Sequence, residues 1–182
     1  MQNLKTAFLL LSGLSLAFIL DSCLKDPIVD NPPKLPPITC EAEGTGGCLV
    51  NGDLFLPKGA GSLIGQYNFK DNSVKGSFRL AITRRSEREA VRIVLYNMVF
   101  DTGYYKLGYN NIYIGSARYY NITDHVDSYY CGDANFGILH ITKIDTIERI
   151  ICGTFAFDAV NQENDQDTIR IREGRFDVKF IY

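Results

Sequence analysis

The side chains best suited to chemistry are few and scattered. There are only two histidines, His125 and His140. His125 sits in Thr123-Asp124-His125-Val126-Asp127. An imidazole between two carboxylates offers the donor types of a divalent-metal site or of an acid–base pair, but so short and polar a run reads more simply as a solvated loop. His140 alternates with Ile138 and Thr142, which makes it a strand residue. Asn161 to Asp167 carries an oxygen on every side chain. Calcium takes such ligands, but the spacing is not that of an EF-hand, and a polar hairpin loop is the expectation. Two carboxylate pairs, Glu87 with Glu89 and Asp124 with Asp127, could serve glycoside hydrolysis only if they faced a cleft. The nucleophile elbow Gly-x-Ser-x-Gly is missing, and so is a glycine-rich phosphate loop. The sequence therefore predicts no enzyme, no bound metal and no cofactor.

Tyrosine is the more suggestive residue. Eight of the eleven fall in one stretch: Tyr104, Tyr105, Tyr109, Tyr113, Tyr119, Tyr120, Tyr129 and Tyr130. Tyrosine combines a flat apolar ring with a polar tip and little rotamer entropy, so it is enriched at binding surfaces. It is also a good strand former. In the adjacent pairs, one ring must point to each face of a strand. These residues are the candidate ligand surface. The absence of tryptophan weakens a sugar-stacking reading in particular.

The compartment follows from the N-terminus. Lys5 precedes an apolar run from Ala7 to Leu20, too short to span a bilayer but suited to a signal peptide. It ends in Leu20-Asp21-Ser22-Cys23, which resembles a lipobox: cleavage after residue 22 would leave Cys23 diacylated, and two chains anchor stably. Lys25-Asp26 directly behind the cysteine resembles a surface-export signal. Membrane contact through Cys23 is the predicted attachment. The net charge of −2 gives no reason to expect nucleic acid as a partner.

Four cysteines remain: Cys40, Cys48, Cys131 and Cys152. An even number in an oxidising compartment favours disulfides over zinc, which wants closer spacing. Three pairings are open, and short-loop closure favours Cys40–Cys48 with Cys131–Cys152.

Residues 23–46 hold five of the six prolines and read as a stiff tether with a flexible glycine lead-in. Residues 47–182 read as one all-β domain. Asn51-Gly52 marks a hairpin. Runs at 63–69, 77–83, 91–98, 136–143, 150–159 and 168–172, and a final strand after Glu173-Gly174, alternate with turn signals. No helix of ten residues is expected after the signal. The predicted architecture is an antiparallel β-sandwich or open barrel of about 9–11 strands.

Four segments carry a resemblance: Gly47 to Gly52, Ile141 to Asp145, Ile150 to Phe155 and Gly174 to Lys179. Their order and spacing are similar to those of an uncharacterised family of Bacteroidota lipoproteins with a domain of unknown function. The resemblance implies an all-β domain on a lipid tether and carries no activity. Asp145-Thr146-Ile147 and Asp167-Thr168-Ile169 resemble the Asp-Thr-apolar acceptor for O-glycosylation in that group, which makes Thr146 and Thr168 candidate sites. The expectation is a surface-facing, outer-membrane lipoprotein that binds an unidentified protein or glycan. An accessory subunit of an envelope complex ranks second and a hydrolase third.

Overall fold

The computed structural model describes residues 33–69, 75–108, 115–121, 127–132 and 136–182. The signal peptide, Cys23, Lys25-Asp26, Tyr109, Tyr113, Asp124 and His125 lie outside the described residues.

Among the described residues eleven strands follow one another: β1 (Thr45–Val50), β2 (Asp53–Phe55), β3 (Leu63–Phe69), β4 (Lys75–Arg84), β5 (Glu89–Val99), β6 (Gly103–Leu107), β7 (Gly115–Asn121), β8 (Asp127–Tyr130), β9 (Gly137–Asp145), β10 (Ile150–Asn161) and β11 (Thr168–Ile181). Among the described residues there is no helix. Asn51 and Gly52 join β1 to β2 with φ of 51° and 92°, the pair of positive values that Asn-Gly tolerates best.

Eight strands close a ring in the order β3-β4-β5-β7-β6-β9-β10-β11 and back to β3. Most contacts are antiparallel. Two are parallel and complete the circuit: Phe180 and Ile181 of β11 against Gly65 and Gln66 of β3, and Leu107 of β6 against Gly115 of β7. β1 extends the wall beside the middle of β11, from Ile171 to Asp177, and β2 pairs with β1 outside it. β8 bridges the ends of β7 and β10. The fold is thus a mixed barrel with extra strands.

Alternation explains the filling. Phe78, Leu80 and Ile82 of β4, Val91, Ile93 and Leu95 of β5, Ile151, Phe155 and Phe157 of β10, and Phe176, Val178 and Phe180 of β11 all point inward. They form one continuous buried cluster, so the interior is packed like an ordinary core. Two glycines fit the wall to it. Phe155 lies directly over Gly174, its cross-strand partner. At Gly153 a side chain would run into the carbonyl oxygen of His140, at the point where the β9–β10 register shifts.

Three expectations change. Glu173-Gly174 does not separate two strands: Glu173 takes φ of 51° inside a single long β11, where the register to β10 slips between Phe155 and Phe157. This is a bulge, which bends a strand without ending it. The segment read as the end of the tether is part of the fold, since β1 begins at Thr45 and residues 33–43 lie as a strap on β10 and β11, touching Arg175 through Pro36, Asp177 through Thr39 and Cys152 through Cys40.

The predicted local disulfides are also corrected, because the bond joins Cys40 of the strap to Cys152 of β10. Cys48 points into the barrel from β1, and Cys131 is buried with its thiol donating to the Leu107 carbonyl at 3.2 Å. Neither can turn outward to a local partner. Burial pushes the Cys48 thiol up to about 12, against a small opposing pull from Arg84, and burial likewise raises Cys131 to about 11. Both are expected to resist a charged alkylating reagent at pH 8 until the chain unfolds. Peptide mapping of unreduced, denatured, alkylated protein should find label on Cys48 and Cys131. A Cys40–Cys48 linked peptide would refute this pairing.

The strap is held by a second device. The carboxylate of Asp177, cross-strand partner of Cys152, is only 2% exposed. It accepts from the Thr39 hydroxyl at 2.7 Å and from the backbone amides of Glu41, Ala42 and Glu43 at 2.9, 2.8 and 3.4 Å. Burial by itself would raise its pKa, but these four donors outweigh burial and hold it below the ordinary carboxylate value. Lys143 donates to the Cys40 carbonyl and Arg175 to that of Pro36.

Candidate ligand groove

The strap and β6 leave a groove between them on the outer wall. Its floor is one row of cross-strand partners: Tyr104 on β6 faces His140 on β9, His140 faces Thr154 on β10, and Thr154 faces Arg175 on β11. Ile138 and Ala156 form the next row. Ile38 of the strap lines the opposite rim. The groove has a volume of about 430 Å³. With neighbouring strands about 4.8 Å apart, the row from Tyr104 to Arg175 spans roughly 14 Å.

Direct cross-strand neighbours sit close enough for rings to meet. The rings of Tyr104 and His140 stack with centres 4.0 Å apart and planes 5° from parallel. Tyr104 is nevertheless 74% exposed, so the face turned away from His140 is open to solvent. At the other end the Arg175 guanidinium is fixed by the carbonyls of Glu173 and Pro36 and by the Glu173 carboxylate at 3.2 Å. The groove therefore combines an aromatic platform, a small polar centre and a braced cation.

The described tyrosines divide as their pairing requires. Tyr104 points out, while Tyr105 packs against the core and donates to the Asp101 carbonyl at 2.6 Å. Tyr119 and Tyr129 are core residues, their rings edge to face 5.8 Å apart, whereas their neighbours Tyr120 and Tyr130 lie half-buried on the outer wall. Tyr119 and Tyr129 are thereby corrected as ligand-surface candidates: period-two alternation turns them inward. The Tyr119 hydroxyl donates to Glu89 at 2.9 Å, and that of Tyr129 to Asp167 at 2.8 Å.

The other candidates do not converge. Glu87 lies half-buried on the β4–β5 turn, drawn down to about 2 by the hydrogen bonds from Lys58 and Ser86. Glu89 pairs instead with Arg84 at 3.3 Å. In the 161–167 loop, Asn161 and Asn164 accept from the amides of Glu163 and Gln166, and Asp167 serves Tyr129. Among the described residues no three His, Cys, Asp or Glu side chains gather as a metal site would need. Thr146 is exposed on a turn closed by Asp145, whose carboxylate accepts from Ile147 and Glu148. Thr168 is half-buried at the start of β11.

His140, Thr154, Arg175 and Ile38 were not singled out as site residues by the sequence. Only register brings them together with Tyr104, and register is a property of the folded sheet. A protein-family model described as a domain of unknown function (DUF6252) matches residues 66–178, which takes in most of the barrel and all of the groove floor but not the Ile38 rim. No curated protein and no solved structure matches the chain.

Proposed function

The chain belongs to the DUF6252 family, and from that premise we propose that it is a lipid-anchored cell-envelope protein of the Bacteroidota type whose groove binds a glycan without transforming it. The lipobox at Cys23, the prolines behind it and Lys25-Asp26 support the anchor and its surface-facing placement. The single observation that carries the binding role is the exposed Tyr104 ring, held flat on His140 at the head of a polar row ending in Arg175. A sugar ring has an apolar face of C–H groups and a rim of hydroxyls. The first suits a rigid aromatic platform, and the second suits Thr154 and the guanidinium.

Calorimetry against soluble neutral and acidic polysaccharides tests the reading. Tyr104→Ala is expected to weaken binding at least about tenfold, roughly 1.4 kcal/mol, with little change in melting temperature because the ring is exposed. Wild-type affinity in that variant would remove the groove from consideration. Placement is tested by protease treatment of intact cells beside lysed ones. Digestion on intact cells supports a surface-facing domain, and protection until lysis puts the domain inside the outer membrane.

A further inference from the structure

A second feature lies on a different stretch of wall. On the outer face of β5, β7 and β8, Arg92 and Arg118 are direct cross-strand partners. Like charges placed opposite one another destabilise a sheet. Both guanidinium carbons lie near the same ring, 5.2 and 5.4 Å from the centre of Tyr120, and Arg118 also sits 5.3 Å from the centre of Tyr130. The tyrosine faces offset part of the repulsion. They do not supply an acceptor. Among the described residues neither arginine forms an ion pair, and the Nε of Arg92 is buried with no hydrogen-bond partner. Such a donor carries a desolvation penalty, and no described carboxylate near it offsets the charge of the group.

The surroundings share the same sign. Arg79 also points outward from β4, diagonal to Arg92, and no described outward-facing residue of β4, β5, β7 or β8 is a carboxylate. A chain of net charge −2 that gathers three arginines on one patch creates a local positive field.

We propose that Arg92 and Arg118 form a binding site for a phosphate monoester. Each guanidinium presents a planar fork of N–H donors. Two forks and two charges match the three free oxygens and the charge near −2 of such a group, whereas a carboxylate is satisfied by one fork. Cross-strand pairing sets the two arginines side by side, and the shared Tyr120 ring, with Tyr130 beside Arg118, braces both guanidiniums on the same patch of wall. This site is independent of the groove at Tyr104, and either can fail without the other.

The test uses the full chain and inorganic phosphate as the probe, followed by calorimetry at low and high salt. Phosphate should bind and raise the melting temperature, and binding should fall with added salt. Acetate should bind at least tenfold more weakly. Arg92→Gln with Arg118→Gln is expected to weaken phosphate binding at least tenfold while leaving the melting temperature unchanged or higher, since a like-charge pair is removed. Arg92→Lys with Arg118→Lys keeps the charge and loses the forks, and should fall between. Glucose 6-phosphate and dihexanoyl phosphatidate then separate a sugar phosphate from a lipid headgroup, and tighter binding of either over inorganic phosphate supports the site and names its source. No binding of phosphate, or binding unaltered in the double glutamine variant, would overturn the proposal. Should that variant fail to fold, the single Arg118→Gln change and the phosphate-dependent melting of the unaltered chain decide it.

Discussion

Asp177→Asn is expected to lower stability by about 2–4 kcal/mol, although the side chain keeps its size. The carboxylate is buried and accepts four hydrogen bonds, three of them from consecutive backbone amides of the strap. Hydrogen bonds to a charged acceptor are worth roughly 1.5–3 kcal/mol, and stranded buried donors add their desolvation penalty. An amide also turns an N–H₂ toward amides that can only donate. For a chain of this size the loss corresponds to roughly 5–15 °C in melting temperature. Hydrogen exchange should speed at Glu41, Ala42 and Glu43 before it does at β4 or β5. The pH dependence has a definite sign. The folded-state pKa of Asp177 is held low, so its contribution is complete above the unfolded carboxylate value of about 3.9 and is lost as pH falls through the lower folded value. The asparagine variant should lack that part of the acid transition. An Asp177→Asn protein that melts with the original one would show that the strap is not held by this carboxylate.

Removing the disulfide should act on the same segment and more strongly. Cys40 and Cys152 are 112 residues apart. In the chain-entropy account, closing so long a loop is worth roughly 4–5 kcal/mol, against about 3 or less for the short loops that local pairing would make. Cys40→Ser with Cys152→Ala is therefore expected to lower the melting temperature by on the order of 10 °C, measured without reductant. Added reductant should bring the unaltered chain to the same value. The effect of adding Asp177→Asn to the double cysteine variant should be less than additive, since both devices hold one strap. Full additivity, or a loss of only about 2 kcal/mol, would count against a strap held jointly at Cys152 and Asp177.

What the sequence made legible was local. Asn51-Gly52 specified its hairpin because both residues accept positive φ. Leu63 to Phe69 emerged with its own ends, and the alternation in β10 and β11 placed Phe155, Phe157, Phe176 and Phe180 inward. Glu173-Gly174 misled because a bulge and a turn draw on the same residues, and only the partner strand tells them apart. The parallel contact of Phe180 with Gly65 joins residues far apart in the chain, and no short-range pattern announces it. The cysteines failed for a related reason. Loop length ranks pairings in an open chain, but β1 and the segment after β8 had already committed Cys48 and Cys131 to the interior. The candidate sites were half visible. Tyr104, Tyr120 and Tyr130 stood out by composition, while His140, Thr154, Arg175, Arg92 and Arg118 acquire meaning only through the strands opposite them.

The Cys40–Cys152 bond also decides where a mechanical load would enter the barrel. If the chain is held at Cys23, tension along the tether reaches the disulfide before it reaches Thr45. It passes by a covalent bond into β10, a strand paired with β11 along nearly its whole length and with β9 from Ile150 to Ala156. The β1–β2 hairpin, which pairs with little more than half of β11, stays out of the load path. Drag on the domain would then shear two long strand contacts at once instead of peeling a short edge, so the wall that carries the groove would be the last part to give way.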